Sequence, residues 1–183
     1  MSTKVEATIE DLYKVEGKAE LVNGEIILMS PTGYLPNYAA GKIFISLSAY
    51  SERTKYGRVV TDNCTFVVNL PHRRSFSPDA GFFVGEDPEM NFIDGAPLFA
   101  VEVRSKGDYG PQAEPEMAKK RADYFAAGTR VVWDVDLMSD DVVRVYRASE
   151  PETAKIYHRG EIAEAEPAVP GWTMTVDDLF PTQ

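Results

Sequence analysis

The sequence has few of the residues that carry thiol or imidazole chemistry. Its 183 residues include one cysteine, Cys64, which excludes an internal disulfide and any multi-cysteine zinc site. A single thiol is typical of a protein in a reducing compartment. The two histidines, His72 and His158, lie far apart in polar, turn-like segments, so a histidine metal cluster or a Ser-His-Asp triad has little support.

Long apolar runs are missing as well. No stretch approaches the roughly 20 apolar residues that a membrane span needs, and residues 1–6 lack the apolar core of a signal peptide. We therefore expect a cytoplasmic protein that has no membrane partner. The composition, 44% hydrophobic and 26% charged, is that of a globular protein. Since neither a repeat nor a linker divides the chain, we predict a single domain over residues 1–183.

Positive charge is scarce. Lys and Arg number 19 against 29 acids, and the net charge of -10 opposes binding to a phosphate backbone. The deficit is uneven, because residues 134–166 hold nine acids against four bases, a net of -5 that is half of the total. The basic runs 72–74 and 119–121 lie outside that segment. Each run could meet phosphates locally or be an ordinary solvated group.

Hydrophobic periodicity predicts a chain of mixed helices and strands. The dipeptide Asn23-Gly24 between two short apolar runs predicts a two-residue β-hairpin near the N-terminus. Apolar residues at helical or strand spacing predict further elements: helices over 37–55 and 116–127, and strands over 62–70, 79–84, 98–105, 130–136 and 142–147. Together they indicate an α/β domain.

Two carboxylates in apolar strands are the most informative feature of the chain. Asp79 follows Ser77-Pro78, and Glu102 stands between Val101 and Val103. A carboxylate in such a strand costs free energy to bury unless it has a partner, and we favour a divalent metal. If the two strands are neighbours, Asp79, Glu102 and the carbonyl oxygen of Val103 offer oxygen ligands to Mg²⁺ or Mn²⁺.

A lysine on the next predicted helix adds a cation to this pair. Met117, Lys120 and Tyr124 follow one another at helical spacing, so Lys120 points the same way as a core-facing tyrosine. That direction places its ammonium group where it could meet a phosphate. Lys120 could also only bridge to Glu116, and Tyr124 and Trp133 are expected to be core aromatic residues.

The order of these motifs resembles the PD-(D/E)XK nuclease superfamily and, within it, the Uma-two family of restriction endonucleases. The matching segments run in family order: 19–25, 29–31, 77–79, 101–105, and Lys120 with Tyr124, Gly128, Trp133 and Asp136. The resemblance implies a restriction-endonuclease-like mixed β-sheet flanked by α-helices, with an N-terminal β-hairpin. It also implies an endonuclease that hydrolyses DNA with Mg²⁺ or Mn²⁺ and pairs as a homodimer.

The resemblance also assigns roles. Asp79 and Glu102 would be metal ligands, and Lys120 would orient the nucleophile or stabilise the charge that develops on phosphorus. Glu20, which matches the acidic position before the Asn-Gly turn, would be an additional metal ligand, directly or through water.

One position departs from the superfamily pattern. Its lysine normally stands two residues after the second acid, where this chain has Arg104. Arg104 could contact phosphate as a fixed cation, but it is a poor general base because its pKa exceeds about 12. It could instead pair with Asp79 or Glu102 and leave the site without metal. With the acidic net charge, this keeps open an inactive nuclease fold that binds nucleic acid or protein, or a purely structural interaction protein.

Overall fold

The helices begin and end at residues that suit a cap. The computed structural model describes residues 5–182 of the chain. That part contains α1 (Ile9–Leu12), α2 (Tyr34–Thr54), α3 (Ala113–Ala127) and a 3₁₀ turn (Val176–Leu179). Thr8 closes a capping box at α1, and Gly128 ends α3 in the left-handed region at φ 113°. The helices predicted over 37–55 and 116–127 are therefore confirmed. None of these helices is both long and apolar enough to cross a membrane.

The strands of the described part form one large sheet and three small ones. They are β1 (Ala19–Val22), β2 (Glu25–Leu28), β3 (Arg58–Thr61), β4 (Phe66–Val67), β5 (Ser75–Phe76), β6 (Ala80–Phe83), β7 (Ile93–Asp94), β8 (Phe99–Val103), β9 (Val131–Val135), β10 (Val143–Arg147), β11 (Glu150–Tyr157), β12 (Ile162–Glu164) and β13 (Thr173–Thr175). The large sheet has six strands in the order β11-β10-β9-β8-β6-β3. Strands β8 and β9 are parallel, and the other neighbours are antiparallel. The predicted mixed sheet flanked by helices is confirmed, with β8 in its interior.

The register of this sheet brings the two predicted carboxylates together. Asp79 directly precedes β6, and its backbone N–H donates to the carbonyl oxygen of Val101 on β8 at 3.0 Å. Glu102 is the next residue along β8. The strands predicted over 79–84 and 98–105 are therefore neighbours, as a shared metal site requires.

Apolar side chains cover both faces of the six-stranded sheet. On one face, Ile43 of α2 belongs to a buried cluster with Phe99 and Trp133. On the other face, Tyr124 of α3 is buried together with Ala100 of β8. Burying a large apolar side chain contributes about 1.5–3 kcal/mol, so these contacts fix α3 above the face of β8 that carries its acidic residue.

The N-terminal hairpin forms as predicted. Asn23 and Gly24 both have positive φ, 51° and 70°, which a tight two-residue hairpin turn requires. The hairpin is fastened to β5, because the N–H of Leu21 donates to Oγ of Ser75 at 2.8 Å. This contact carries the neighbouring residue of β1, Glu20, toward the centre of the molecule.

The continuous strand predicted over 62–70 is wrong. Strand β3 ends at Thr61, and Asn63 takes a left-handed conformation with φ 62° in the turn that follows. Phe66 and Val68 are nevertheless buried, at 0% and 6% exposure, and Phe66 begins the short strand β4 of a small sheet. The alternation of apolar and polar residues indicates which side chains face the core, but it does not show whether one continuous strand pairs along the whole segment.

Candidate active site

Helix α3 places a tyrosine hydroxyl on the acid of β8. Tyr124 is fully buried, and its ring stacks on Phe76 with centroids 4.0 Å apart. Its hydroxyl donates to Oε1 of Glu102 at 2.6 Å. Burial, together with the carboxylates of Glu102 and Glu20, raises the pKa of Tyr124 well above its ordinary value, so the hydroxyl stays protonated and donates. The sequence predicted a core aromatic residue here, which is confirmed, but it did not reveal the contact of the hydroxyl.

Lys120 lies between two carboxylates. Its Nζ is 2.9 Å from Oε1 of Glu102 and 2.9 Å from Oε1 of Glu20. Burial acts to lower the pKa of Lys120, but the two carboxylates outweigh burial and raise the pKa above its ordinary value. The ammonium group is therefore protonated at neutral pH. In this form it can stabilise negative charge or orient a nucleophile.

Glu20 positions Lys120 from behind. Its side chain is buried, and its Oε1 also accepts the backbone N–H of Ser77 at 2.9 Å, while Oε2 accepts from Nη1 of Arg73 at 2.6 Å. Burial acts to raise the pKa of Glu20, but Lys120 and Arg73 lower it on balance. Within residues 5–182, no three acidic, histidine or cysteine side chains are grouped as a metal site. Glu20 is therefore a partner of Lys120 in this structure, and its role as an additional metal ligand stays a prediction from the resemblance.

Lys18 is a residue of the site that sequence reasoning missed. Its Nζ lies 2.6 Å from Oδ1 of Asp79 and 2.6 Å from Oδ1 of Asp62. Burial acts to lower the pKa of Lys18, but Asp79 and Glu102 raise it on balance, so the ammonium group stays charged. The only sequence signal was its position two residues before Glu20, which puts both on one face of an extended chain.

These groups meet in a cavity of about 550 Å³. Asp79, Glu102, Val103, Lys18 and Lys120 all line it. Oδ2 of Asp79 accepts the backbone N–H of Val103 at 2.7 Å, which holds the two carboxylate-bearing segments together. The structure thus brings together the three residues predicted to be catalytic, Asp79, Glu102 and Lys120.

The chemistry of the cavity suits a divalent cation. Burial raises the pKa of Glu102, and although Lys120 and Lys18 oppose this, Asp79 and Glu20 add to it. A cation bound beside Glu102 would favour its ionised form and so oppose this shift. Two carboxylates and a backbone carbonyl form the oxygen donor set that Mg²⁺ uses, with water or phosphate oxygens completing its coordination.

Arg104 pairs with neither Asp79 nor Glu102. Its guanidinium donates to both carboxylate oxygens of Asp134, Nε at 2.9 Å and Nη2 at 2.7 Å, and Nη1 donates to Glu114. The hydrogen bonds to Asp134 raise the pKa of Arg104 further, although burial opposes them. The arginine that replaces the usual lysine is therefore bound to an aspartate of the next strand, β9. Lys120, and not Arg104, is the cation that contacts Glu102.

We expect Tyr124→Phe to destabilise the protein by about 2 kcal/mol, because the half-buried carboxylate of Glu102 loses a hydrogen bond while the ring packing remains. Urea unfolding measures the change. Tyr50→Phe is the matched control, since the Tyr50 hydroxyl donates to a neutral acceptor, the carbonyl oxygen of Pro170, at 2.7 Å. Its expected cost is about 1 kcal/mol. A loss for Tyr124→Phe no larger than for the control would contradict a hydrogen bond to an ionised Glu102.

Known proteins match the chain at the level of family and fold. The model of the Uma2 family, described as "Putative restriction endonuclease", matches residues 7–177. Among solved structures, the chain is similar to one described as "a putative nuclease belonging to DUF820 from Anabaena variabilis ATCC 29413", with a TM-score of 0.73. The two are 16% identical, over 94% of this chain and 97% of that chain, which shows a shared fold. No curated protein matches the chain.

Proposed function

The chain belongs to the Uma2 family, as its motifs predict, and from this premise we propose that it is a metal-dependent endonuclease that hydrolyses phosphodiester bonds in DNA. One observation carries the proposal: Asp79, Glu102 and Lys120, which are distant in sequence, line one cavity. A pair of carboxylates whose side chains are only 15% and 21% exposed, beside a protonated lysine, is poorly explained by stability alone, since replacing buried ion pairs with apolar residues is often neutral or stabilising.

The residues that would hold Mg²⁺ or Mn²⁺ are Asp79, Glu102 and the carbonyl group of Val103. When bound there, the cation would supply Lewis-acid chemistry, by polarising a phosphoryl oxygen and lowering the pKa of a coordinated water. The two carboxylates are prepared for this role. Val103 and Lys18 fix the orientation of Asp79, and Tyr124 fixes that of Glu102.

Lys120 supplies a fixed positive charge in this proposal. Its ammonium group stays protonated, so it can stabilise the negative charge that develops on the phosphoryl oxygens as the bond to the leaving group breaks. Glu20 fixes the position of this ammonium group, because its carboxylate contacts Nζ of Lys120 from the buried side at 2.9 Å.

Plasmid cleavage tests the proposal. We expect the protein to nick or linearise supercoiled DNA with Mg²⁺ or Mn²⁺ and to lose this activity when EDTA removes the metal. Single-stranded DNA and an RNA of the same sequence, assayed in parallel, identify the substrate. If neither metal supports cleavage, and calorimetry shows no Mn²⁺ binding that depends on Asp79, the chain is instead an inactive nuclease fold that binds nucleic acid or protein.

The homodimer belongs to the same proposal. An enzyme that cuts both strands of a duplex needs two sites, and two copies related by a two-fold axis provide them. Light scattering in the presence of duplex DNA measures the assembly. The cytoplasmic location and the single domain over residues 1–183 remain predictions from the sequence.

A further inference from the structure

A second charged cluster adjoins the candidate active site. We name it the arginine cluster: Arg104, Arg121 and Arg144 around Asp134. Asp134 pairs in register with Glu102 of β8 and, on its other side, with Arg144 of β10. Since residues directly opposite one another share a face, one row across three strands carries the active-site acid, an aspartate and an arginine.

Helix α3 lies above this row and supplies the third arginine. Lys120 reaches Glu102, and the next residue, Arg121, approaches Asp134 of the neighbouring strand. The guanidinium of Arg121 also stacks 3.7 Å from the ring centre of Tyr146, which fixes its plane. Arg104, Arg121 and Lys120 line the same cavity, so the arginine cluster and the candidate active site share one space.

The arginine cluster has more donors than acceptors. Arg104 takes both oxygens of Asp134, and Nη1 of Arg121 is left 3.9 Å from that carboxylate, beyond hydrogen-bond distance. Nη1 of Arg144 is 3.7 Å from Oδ2 of Asp136. Both Nη1 atoms are buried and have no hydrogen-bond partner among the described residues. Unpaired buried donors on charged groups are expensive, so Arg121 and Arg144 are each short of an acceptor.

The carboxylate of Glu114 supplies one acceptor to the arginine cluster from the solvent side. Its side chain is 63% exposed, yet its carboxylate reaches Arg104, whose side chain is 4% exposed. The hydrogen bond from Arg104 lowers the pKa of Glu114, burial opposes this, and the charges of Arg144 and Arg121 add to the lowering. All three arginines therefore attract a negative charge at the position of this carboxylate.

We propose that the arginine cluster is a subsite for a phosphodiester group of the nucleic acid next to the one at Lys120, and that the carboxylate of Glu114 occupies it when substrate is absent. The phosphate oxygens match the planar fork of arginine better than a single carboxylate does, because they can accept from several guanidinium groups at once. Glu114 can leave without unfolding any packing, since most of its side chain is in solvent. The identity of the ligand as nucleic acid rests on the proposed function.

Binding in EDTA tests the subsite without cleavage. The probe is a fluorescein-labelled single-stranded DNA oligonucleotide, and its affinity is measured by anisotropy for wild type and Glu114→Gln. We expect Glu114→Gln to tighten binding by about 5- to 10-fold, because the competing carboxylate is lost. Glu116→Gln is the comparison variant: it removes the same charge from the same helical turn of the cavity wall, and we expect a smaller tightening, of about 2-fold, that measures the loss of net charge alone.

Arginine variants form the second part of this binding experiment. We expect Arg121→Gln, made in the Glu114→Gln protein, to cancel the gain and to reduce the slope of log affinity against log salt by about one. Arg53→Gln, which removes a charge from α2 outside the cavity, should leave that gain in place. Arg144→Gln repeats the measurement if Arg121→Gln does not fold.

The possible outcomes are separable. Equal tightening by Glu114→Gln and Glu116→Gln, or tightening that survives both arginine variants, overturns the subsite and leaves only an effect of net charge. If inorganic phosphate binds Glu114→Gln more tightly but the oligonucleotide does not, the site takes free phosphate and the proposal is wrong. A wild type that cleaves DNA while Glu114→Gln binds the oligonucleotide no more tightly also overturns the subsite, and it leaves the proposed endonuclease intact.

Discussion

Asp79→Asn, Glu102→Gln and Lys120→Met should each reduce metal-dependent DNA cleavage by a factor on the order of 10² to 10³ or more. In the proposed mechanism, the first two remove a charged oxygen ligand of the metal, and the third removes the cation beside the reacting phosphate. Each substitution preserves the approximate shape of the side chain in the cavity, so the loss would reflect chemistry more than packing.

Metal binding separates the roles of these residues. We expect Asp79→Asn and Glu102→Gln to weaken Mn²⁺ binding in calorimetry, because each removes a ligand. Lys120→Met should bind Mn²⁺ at least as well as wild type, since it removes a competing positive charge from Glu102, and yet it should cleave slowly. That combination would identify Lys120 as a group that acts on the substrate and not on the metal.

Glu116→Gln is the control for this series. Glu116 is an acid that lines the same cavity one helical turn before Lys120. Its substitution should leave the rate of cleavage within about 3-fold of wild type, which corresponds to less than about 1 kcal/mol. If Asp79→Asn and Glu102→Gln also cleave at the rate of this control, the active site lies elsewhere. If only Lys120→Met does so, another cation acts on the substrate.

Arg73→Ala should lower the free energy of unfolding by about 3–5 kcal/mol, the largest loss of stability that we expect from a single polar substitution near the site. Arg73 is 7% exposed, and its guanidinium donates to Glu20 at 2.6 Å and to Asp123 at 2.8 Å. Without it, two buried carboxylates each lose a cationic partner. The guanidinium also lies 4.8 Å from the ring centre of Phe76, and this contact would be lost too.

The neighbouring arginine provides the control for this measurement. Arg74 is exposed, and its Nε donates to the carbonyl oxygen of Val68 at 3.3 Å. Arg74→Ala should change stability by less than about 1 kcal/mol. Urea unfolding can be followed by the fluorescence of Trp133 and Trp172, which are both buried with ring centres 5.1 Å apart. Equal losses for the two variants would show that the buried carboxylates tolerate the absence of Arg73.

Much of the local structure could be predicted from the sequence. The Asn23-Gly24 turn, the two strands that carry Asp79 and Glu102, and the helix that carries Lys120 depend on residues close together in the chain. Turn geometry, strand alternation and helical spacing are short-range properties, so a single sequence reveals them. The order of the motifs also identified the family, because that order is itself a property of the sequence.

The partners of the charged groups depended on the tertiary structure. Lys18 meets Asp79 across 61 positions, and Arg73 meets Glu20 across 53. Arg104 binds Asp134, and not Glu102 two residues before it, because the register of β8 against β9 places the Asp134 carboxylate beside it. A sequence does not show which acid a given lysine or arginine will pair with, because each ammonium or guanidinium group could have met several carboxylates. The sequence by itself determined the elements and the family, whereas strand register and the packing of α3 decided which charges meet.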